Sequence, residues 1–290
     1  MNVLVIGSKG QLAKEFKNSL NSKKLKFIFL GKKKLDIISY RSLNTCVNKL
    51  NPSIIINCAA YTDVDNSETK KKIAYNLNCH AVTNLVKICK LKKIYLIHFS
   101  TDYVFNGRSQ NYTEQDKTDP INYYGKTKKI GEKIITDNLN SFVIFRLSWL
   151  IGSYSNNFLK KIISNLKNKK KIFMVENQIS NPTTTIFVSK IVKVCCESYY
   201  NKKNIFKGIF HLANEPAISK LEFTKYVYYK LKKFNLMKND CKIVKISSNE
   251  LKNYAKRPEN SSFNLNKLKR KIIKKNFSWK NILKRILINI

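Results

Sequence analysis

A doubly wound parallel α/β sheet with a second, smaller lobe is the fold class that this 290-residue sequence predicts, on three observations. Short apolar runs rich in Val, Ile and Phe alternate with longer helix-like stretches through the first 150 residues, the pattern of a buried parallel sheet with crossover helices. The first run ends in a glycine turn, Gly7 to Gly10, that leads directly into a helical pattern. Beyond Glu215 the alternation gives way to basic helix-like stretches, as a separate lobe would.

The strands are expected at "NVLVIG" (2–7), "KFIFLG" (26–31), "SIIINC" (53–58), "IYLIHFS" (94–100) and "SFVIFRLSW" (141–149). Helices are expected between them at "QLAKEFKNSL", "SYRSLNTCVNKL", "AYNLNCHAVTNLVKICKL" and over 122–137, each long enough for a crossover. A sixth strand, "KIFMVE" (171–176), a helix near "TIFVSKIVKVCCESYY" and a seventh strand, "GIFHLAN" (208–214), are expected to extend the same sheet. "LEFTKYVYYKLKKF", a short strand "KIVKI" and the basic tail then form the smaller lobe over the carboxyl edge of the sheet.

Composition sets outer bounds. A hydrophobic content of 43% is ordinary for a globular chain of this length. The balance of 56 Lys plus Arg against 18 Asp plus Glu, a net charge of +38, suits a polyanionic partner. Yet the lysines spread from Lys9 to Lys284 without a stripe, so surface drift is favoured over a specific nucleic-acid partner. Cys46, Cys58, Cys79, Cys89, Cys195, Cys196 and Cys241 contain no C-x-x-C pair and sit mostly in apolar stretches, as reduced thiols of a cytoplasmic protein would. His80, His98 and His211 have no metal-ligand spacing. The first apolar run is too short to span a bilayer, so no membrane partner is expected.

The chemistry concentrates at strand ends. "GSKGQLA" places Gly7 and Gly10 in a strand-turn-helix setting, with Ala13 where a third small residue belongs. Such a turn lets backbone approach a pyrophosphate that rests on the helix N-terminus, which predicts dinucleotide binding. That function is expected over 1–150 and about 171–215, with a substrate-binding lobe over about 151–170 and 216–290. The carboxylate that would hold an adenosine ribose after the second strand is missing, because "FLGKKKLD" offers Gly31, Lys32, Lys33 and Lys34 there. Asp36 and Ile37 are candidates for the adenine pocket. "NCAAYTDVDNSE" follows the third strand and "FSTDYVFNG" the fourth, so Ser100, Thr101 and Asp102 belong at the edge where open α/β sheets bind ligands.

"NYYGKTKK" poses a question of register. On a helix Tyr124 meets Lys128 four residues on, while Tyr123 has Lys126 at i+3. A phenol beside an ammonium is a candidate acid with a lowered pKa. Spacing alone leaves both pairs open.

"GSKGQLA", "NCAAYTDVDNSE", "STDYVFNG", "YYGKTKKIGE", "FRLSWLIG", "NQISNPT" and "RPENSSFN" resemble, in order and spacing, the signatures of the dTDP-4-dehydrorhamnose reductase family, extended short-chain dehydrogenase/reductases. The resemblance runs over almost the whole chain. It implies a Rossmann domain with a small substrate lobe, and NADPH or NADH as reductant of the C4 ketone of dTDP-4-dehydro-L-rhamnose. It makes Tyr124 the catalytic tyrosine, Lys128 its partner and Thr101 the hydroxyl that adjusts it. Gly10, Gln11 and Leu12 then match the phosphate-binding turn, Asp36 and Ile37 the adenine contacts, and Ala60, Tyr61 and Thr62 the stretch along the cofactor. Thr101, Asp102 and Trp149 match sugar-nucleotide contacts, and Arg257 is the candidate for the diphosphate on the chemistry of its guanidinium. Leu147 stands where Thr is common, and Lys220 where Trp is common. Some members hold magnesium at a dimer interface through several glutamates. Glu15 matches one of them and the others cannot be placed, so a homodimer stays open and no metal is expected. The rivals are reduction of another nucleotide-sugar ketone, a non-catalytic role like that of the regulatory subunit of methionine adenosyltransferase, and nucleic-acid binding.

Overall fold

The computed structural model describes residues 1–203, 206–250, 255–272 and 277–288. In chain order its main strands are β1 (Asn2–Ile6), β2 (Lys26–Leu30), β3 (Ile54–Asn57), β4 (Tyr95–Thr101), β5 (Phe142–Leu147), β6 (Lys171–Val175), β7 (Gly208–His211) and β8 (Lys242–Ile246). The main helices are α1 (Gln11–Ser19), α2 (Tyr40–Leu50), α3 (Ala81–Lys92), α4 (Tyr123–Asn138), α5 (Phe158–Asn168), α6 (Thr185–Tyr200), α7 (Lys220–Lys233) and α8 (Trp279–Ile288).

Six strands form one parallel sheet in the order β2, β1, β3, β4, β5, β7. Strand order reverses between β1 and β3, and such a switch point opens a crevice at the carboxyl ends. Successive side chains of β1 serve opposite layers, as the two-residue period of a strand requires. Val3 and Val5 join Phe16 of α1 and Val188, Ile191 and Cys195 of α6. Leu4 and Ile6 join Leu43 and Val47 of α2 and Leu85 and Ile88 of α3. Burial on both faces explains why β3 reads as an unbroken apolar run.

One strand belongs elsewhere than expected. Residues 171–176 do not extend the central sheet: β6 pairs in parallel with β8, Lys171 opposite Lys242 through Val175 opposite Ile246. The reason is visible in burial, because β6 exposes Lys171 and Phe173 while Ile172 and Met174 turn into the lobe core, and a strand covered on one side fits a lobe surface better than a doubly covered sheet. Ile172 packs in the lobe core with Leu159, Ile162 and Leu166 of α5, Phe223 and Val227 of α7 and Trp279 and Leu283 of α8. The expected strand 208–214 does join the central sheet, as its edge strand β7.

Among the described residues, no helix is long and apolar enough to cross a membrane. All seven cysteines are unpaired, five of them buried.

Candidate active site

The carboxyl ends of β1, β3, β4 and β5 open into a cleft of about 610 Å³, closed on its far side by Trp149 and the 155–158 segment that leads into α5. The volume suits a small-molecule site. Lys9, Gly10, Gln11 and Leu12 line one end, Ala60 and Thr62 the flank, and Ser100, Thr101, Asp102, Tyr124, Lys128 and Trp149 the centre.

The glycine turn is fixed by close approach. Gly7 has φ +85°, and a Cβ there would lie 2.8 Å from the backbone nitrogen of Ala59, so only glycine fits. The turn is tied down by Gly7 N and Ser8 N, which donate to Leu30 O, and by Gly10 N, which donates to Gly7 O at 2.9 Å. Gly10 caps α1 with no side-chain hydrogen bond, leaving first-turn N–H groups for an anion. Gln11 Nε2 reaches Leu150 O at 3.4 Å.

Thr101 ends β4, and Tyr124 stands in the first turn of α4, which Asn122 caps by accepting from Gly125 N at 2.8 Å. Thr101 Oγ1 donates to Asp102 Oδ1 at 3.1 Å and accepts from Tyr103 N at 3.2 Å. Burial pushes the Tyr124 phenol above its ordinary value, the Asp102 charge adds to that, and a hydrogen bond with Thr101 works in the opposite direction. The expected lowering of this pKa is therefore corrected: the desolvated phenol holds its proton.

Tyr123 stands apart from the cleft. Its N–H donates to Glu68 Oε1 at 2.8 Å and its ring takes Lys71 Nζ at 5.6 Å, while Lys126 is exposed. Geometry thus brings Tyr124 and Lys128 together at the cleft and leaves the other pair outside it.

Lys128 is 2% exposed. Its Nζ donates to Phe99 O at 2.7 Å and faces His98 Nε2 at 3.3 Å. Asn57 Oδ1 accepts from Ala59 N at 3.1 Å, which leaves Asn57 Nδ2 to donate to His98 Nδ1 at 3.2 Å. A neutral imidazole whose Nδ1 accepts carries its proton on Nε2, so donor faces donor at Nζ. Burial lowers the Lys128 pKa to about 8, against the pull of the Glu132 carboxylate. The same burial and the nearby ammonium hold His98 well below its usual range.

Asp102 is buried at 2% exposure, and burial raises its pKa. Both oxygens are taken: besides Thr101, Ser180 Oγ donates to Oδ2 at 3.0 Å and Ser261 Oγ at 2.6 Å. The expected sugar contact is thus a carboxylate already committed to three hydroxyls, and its place in the site is to hold Thr101. Trp149 has φ +30°, a rare conformation for a bulky residue, and its ring packs on Phe158 at 5.6 Å.

Five expected residues, Gly7, Asp36, Ile37, Tyr61 and Arg257, lie outside the cleft lining. Tyr61 is held by its backbone, with its N–H donating to Asn78 Oδ1 at 2.9 Å and its carbonyl accepting from Asn78 Nδ2 at 3.0 Å. Asp36 Oδ1 accepts from Ile38 N at 3.0 Å, and Ile37 is turned into the core beside α2, because the chain bends there into the helix. Arg257 gives Nη2 to both oxygens of Asp65, at 2.9 and 2.8 Å, so its charge is met within the protein. Glu15 accepts from Thr185 Oγ1 at 2.8 Å. Among the described residues, no three His, Cys, Asp or Glu side chains cluster in a way that could hold a metal ion.

Sequence reading missed Asn78, which also donates to Thr127 Oγ1 at 3.0 Å and so ties the Tyr61 stretch to α4. Its one signal is a π-helical turn, Asn76–His80, a departure common at functional sites. Ser100, which the sequence places at this ligand edge, has a buried Oγ with no protein partner.

The profile of the RmlD substrate binding domain matches residues 1–290. The chain belongs to that family. It is 29% identical over 286 residues to dTDP-4-dehydrorhamnose reductase of Aggregatibacter actinomycetemcomitans, covering 98% of this chain and 97% of the relative. Among solved structures it resembles dTDP-4-dehydrorhamnose reductase of Bacillus anthracis, crystallised in complex with NADP. The TM-score is 0.90 at 31% identity, with 100% of this chain and 99% of the other covered. The Clostridium acetobutylicum orthologue of this family matches with a TM-score of 0.89 at 30% identity, over 99% of both chains. The family assignment extends over the lobe as well as the sheet.

Proposed function

We propose that the protein is an NAD(P)H-dependent reductase that converts the C4 ketone of dTDP-4-dehydro-L-rhamnose to the alcohol of dTDP-L-rhamnose. One arrangement carries this reading. Thr101, Tyr124 and Lys128 converge at the carboxyl edge of the sheet, beside a glycine turn that fits a dinucleotide.

The residues present fit the cofactor. Gln11 and Leu12, in the first turn of α1, would take the diphosphate on backbone donors, with Gly7 and Gly10 shaping the turn that lets it approach. Ala60 and Thr62 would flank it, and the unpartnered Ser100 hydroxyl has a free hydrogen bond to give. Lys128 would hold the nicotinamide ribose hydroxyls. When bound, the reduced nicotinamide supplies the hydride.

The protein supplies the proton. Charge develops on the ketone oxygen in the transition state, and a positioned acid must meet it there. Tyr124 carries its proton at neutral pH because its phenol is desolvated, which suits it to donate in the direction of reduction. Thr101, whose hydroxyl proton goes to Asp102, presents a lone pair beside the phenol and orients it. The Lys128 ammonium, kept in place by Phe99 O, offsets the phenolate left after transfer.

For the cofactor we favour NADPH modestly over NADH. Gly31 offers no carboxylate to repel a 2′-phosphate, and Lys32, Lys33 and Lys34 stand exposed beside it. The deciding experiment mixes purified protein with dTDP-4-dehydro-L-rhamnose and either reduced cofactor, following absorbance of the nicotinamide. Substrate-dependent oxidation is expected with both. Its absence with both would overturn the reductase reading and favour a binding role.

A further inference from the structure

Lys220 opens α7 directly after Ser219, which caps the helix by accepting from Glu222 N at 3.1 Å. Its Nζ lies 5.9 Å from the Trp149 ring centroid and 5.6 Å from that of Phe158, two rings that line the cleft. The ammonium donates to Gln178 Oε1, and the backbone of the same glutamine accepts from Lys220 N at 3.0 Å. Among the described residues Lys220 forms no ion pair. The carboxylates that act on it from nearby are engaged elsewhere, Asp65 by Arg257 and Asp102 by three hydroxyls.

A lysine so placed has more donors than acceptors. An ammonium offers three N–H groups, and one protein acceptor is in place. The aromatic faces favour a cation but accept no conventional hydrogen bond. An uncharged sugar hydroxyl could accept one N–H without offsetting the solvation this half-buried ammonium has lost. An anion does both. The cleft beside Lys220 is lined by residues that resemble those handling a sugar nucleotide, and the anionic part of such a ligand is its diphosphate.

We propose that Lys220 binds the diphosphate of a nucleoside-diphosphate sugar in this cleft, and that the ligand completes an ion pair the free protein lacks. The sugar-nucleotide identity of the ligand rests on the reductase reading above, whereas the demand for an anion rests on the surroundings of Lys220. Arg257, paired with Asp65, then contributes less net charge to the ligand than Lys220 does. A second consequence concerns protons. Burial, together with Arg257 and Lys161, lowers the Lys220 pKa to about 7, opposed by Asp102 and Asp65. A bound diphosphate raises it again, so binding near and above neutral pH draws in a proton.

The test is isothermal titration of the full-length protein with dTDP at pH 7.5, in two buffers of different ionisation enthalpy, for the wild type, Lys220→Met and Lys220→Arg. Expected is proton uptake by the wild type, a loss of about tenfold or more in affinity in Lys220→Met, and disappearance of the Lys220-dependent uptake. Lys220→Arg should regain affinity without the uptake, because a guanidinium stays charged. Equal affinity and equal uptake in wild type and Lys220→Met would overturn the proposal, as would failure of the wild type to bind dTDP. A lowered melting temperature with unchanged affinity and uptake would reduce Lys220 to a structural role and also overturn it. Lys220-dependent dTDP binding in a protein that fails to reduce dTDP-4-dehydro-L-rhamnose would uphold this inference and reject the reductase reading alone.

Discussion

Gly125 follows Tyr124 in the first turn of α4 and packs against the backbone of Tyr103. A Cβ at this position would lie 2.1 Å from the Tyr103 carbonyl oxygen and 3.0 Å from Pro120 Cβ, where ordinary contact begins at 3.4 Å. Neither neighbour is the free end of a flexible side chain. In Gly125→Ala the first turn of α4 must therefore withdraw by about 1 Å, taking the Tyr124 phenol with it while Thr101 stays with β4. A displacement of about 1 Å at a reacting group costs on the order of 100-fold in rate. Stability should suffer less, because overpacking costs roughly 1–3 kcal/mol and alanine returns up to about 1 kcal/mol of helix propensity. The assay is kcat with dTDP-4-dehydro-L-rhamnose and saturating NADPH, alongside a thermal melt. Lys126→Ala, exposed on the same helix, serves as the control. Expected is a fall in kcat of about 100-fold with a loss of a few degrees in Tm. A Gly125→Ala enzyme within threefold of the wild type would refute the claim that this contact sets the position of the phenol.

Tyr124→Phe should lose on the order of 100-fold or more in kcat with cofactor affinity nearly unchanged, while Tyr123→Phe stays near wild type; steady-state kinetics that reversed the two would return the register to Tyr123. Glu132→Gln breaks the buried pair in which Glu132 Oε1 and Oε2 accept from Arg146 Nε and Nη2 at 2.9 and 2.7 Å. Urea denaturation should show a loss of about 3 kcal/mol, and a loss under 1 kcal/mol would show that the pair is not the internal tie it looks. Lys128→Met removes an ammonium that burial disfavours. Its folded pKa of about 8 lies below the usual 10.5, so the unfolded chain binds the extra proton and stability rises as pH climbs through that window. The mutant should be inactive yet more stable than the wild type at pH 7 by on the order of 1–3 kcal/mol. Denaturation across pH 7 to 10 should show the gap closing, and a gap independent of pH would contradict the assignment. For the cofactor, kcat/KM should favour NADPH by roughly fivefold, and Lys32→Glu should shrink that ratio; a strong native preference for NADH would place the end of β2 elsewhere.

By itself the sequence determined the parts governed by local rules. Two-sided burial writes β1 and β3 as near-continuous apolar runs, so the parallel sheet was legible, and helix periodicity narrowed the acid–ammonium pair to Tyr124 with Lys128 or Tyr123 with Lys126. The glycine turn was legible for a similar reason, since Gly7 at φ +85° is a backbone demand that few residues meet. What crosses between distant segments was not. β6 carries the same Ile, Phe and Val content as a sheet strand, and only its pairing with β8 puts it in the lobe. The state of the catalytic groups was also beyond local reading. Spacing suggested that Lys128 lowers the Tyr124 pKa, but desolvation depends on everything packed around a group, and here it holds the phenol protonated and weakens the hold of Lys128 on its proton. Arg257 and Lys220 exchanged weight for the same reason: Asp65, 192 positions away in the chain, takes the arginine, while the fold leaves the lysine beside two aromatic rings without a carboxylate of its own. Charge compensation is settled in space, and one-dimensional spacing carries no record of it.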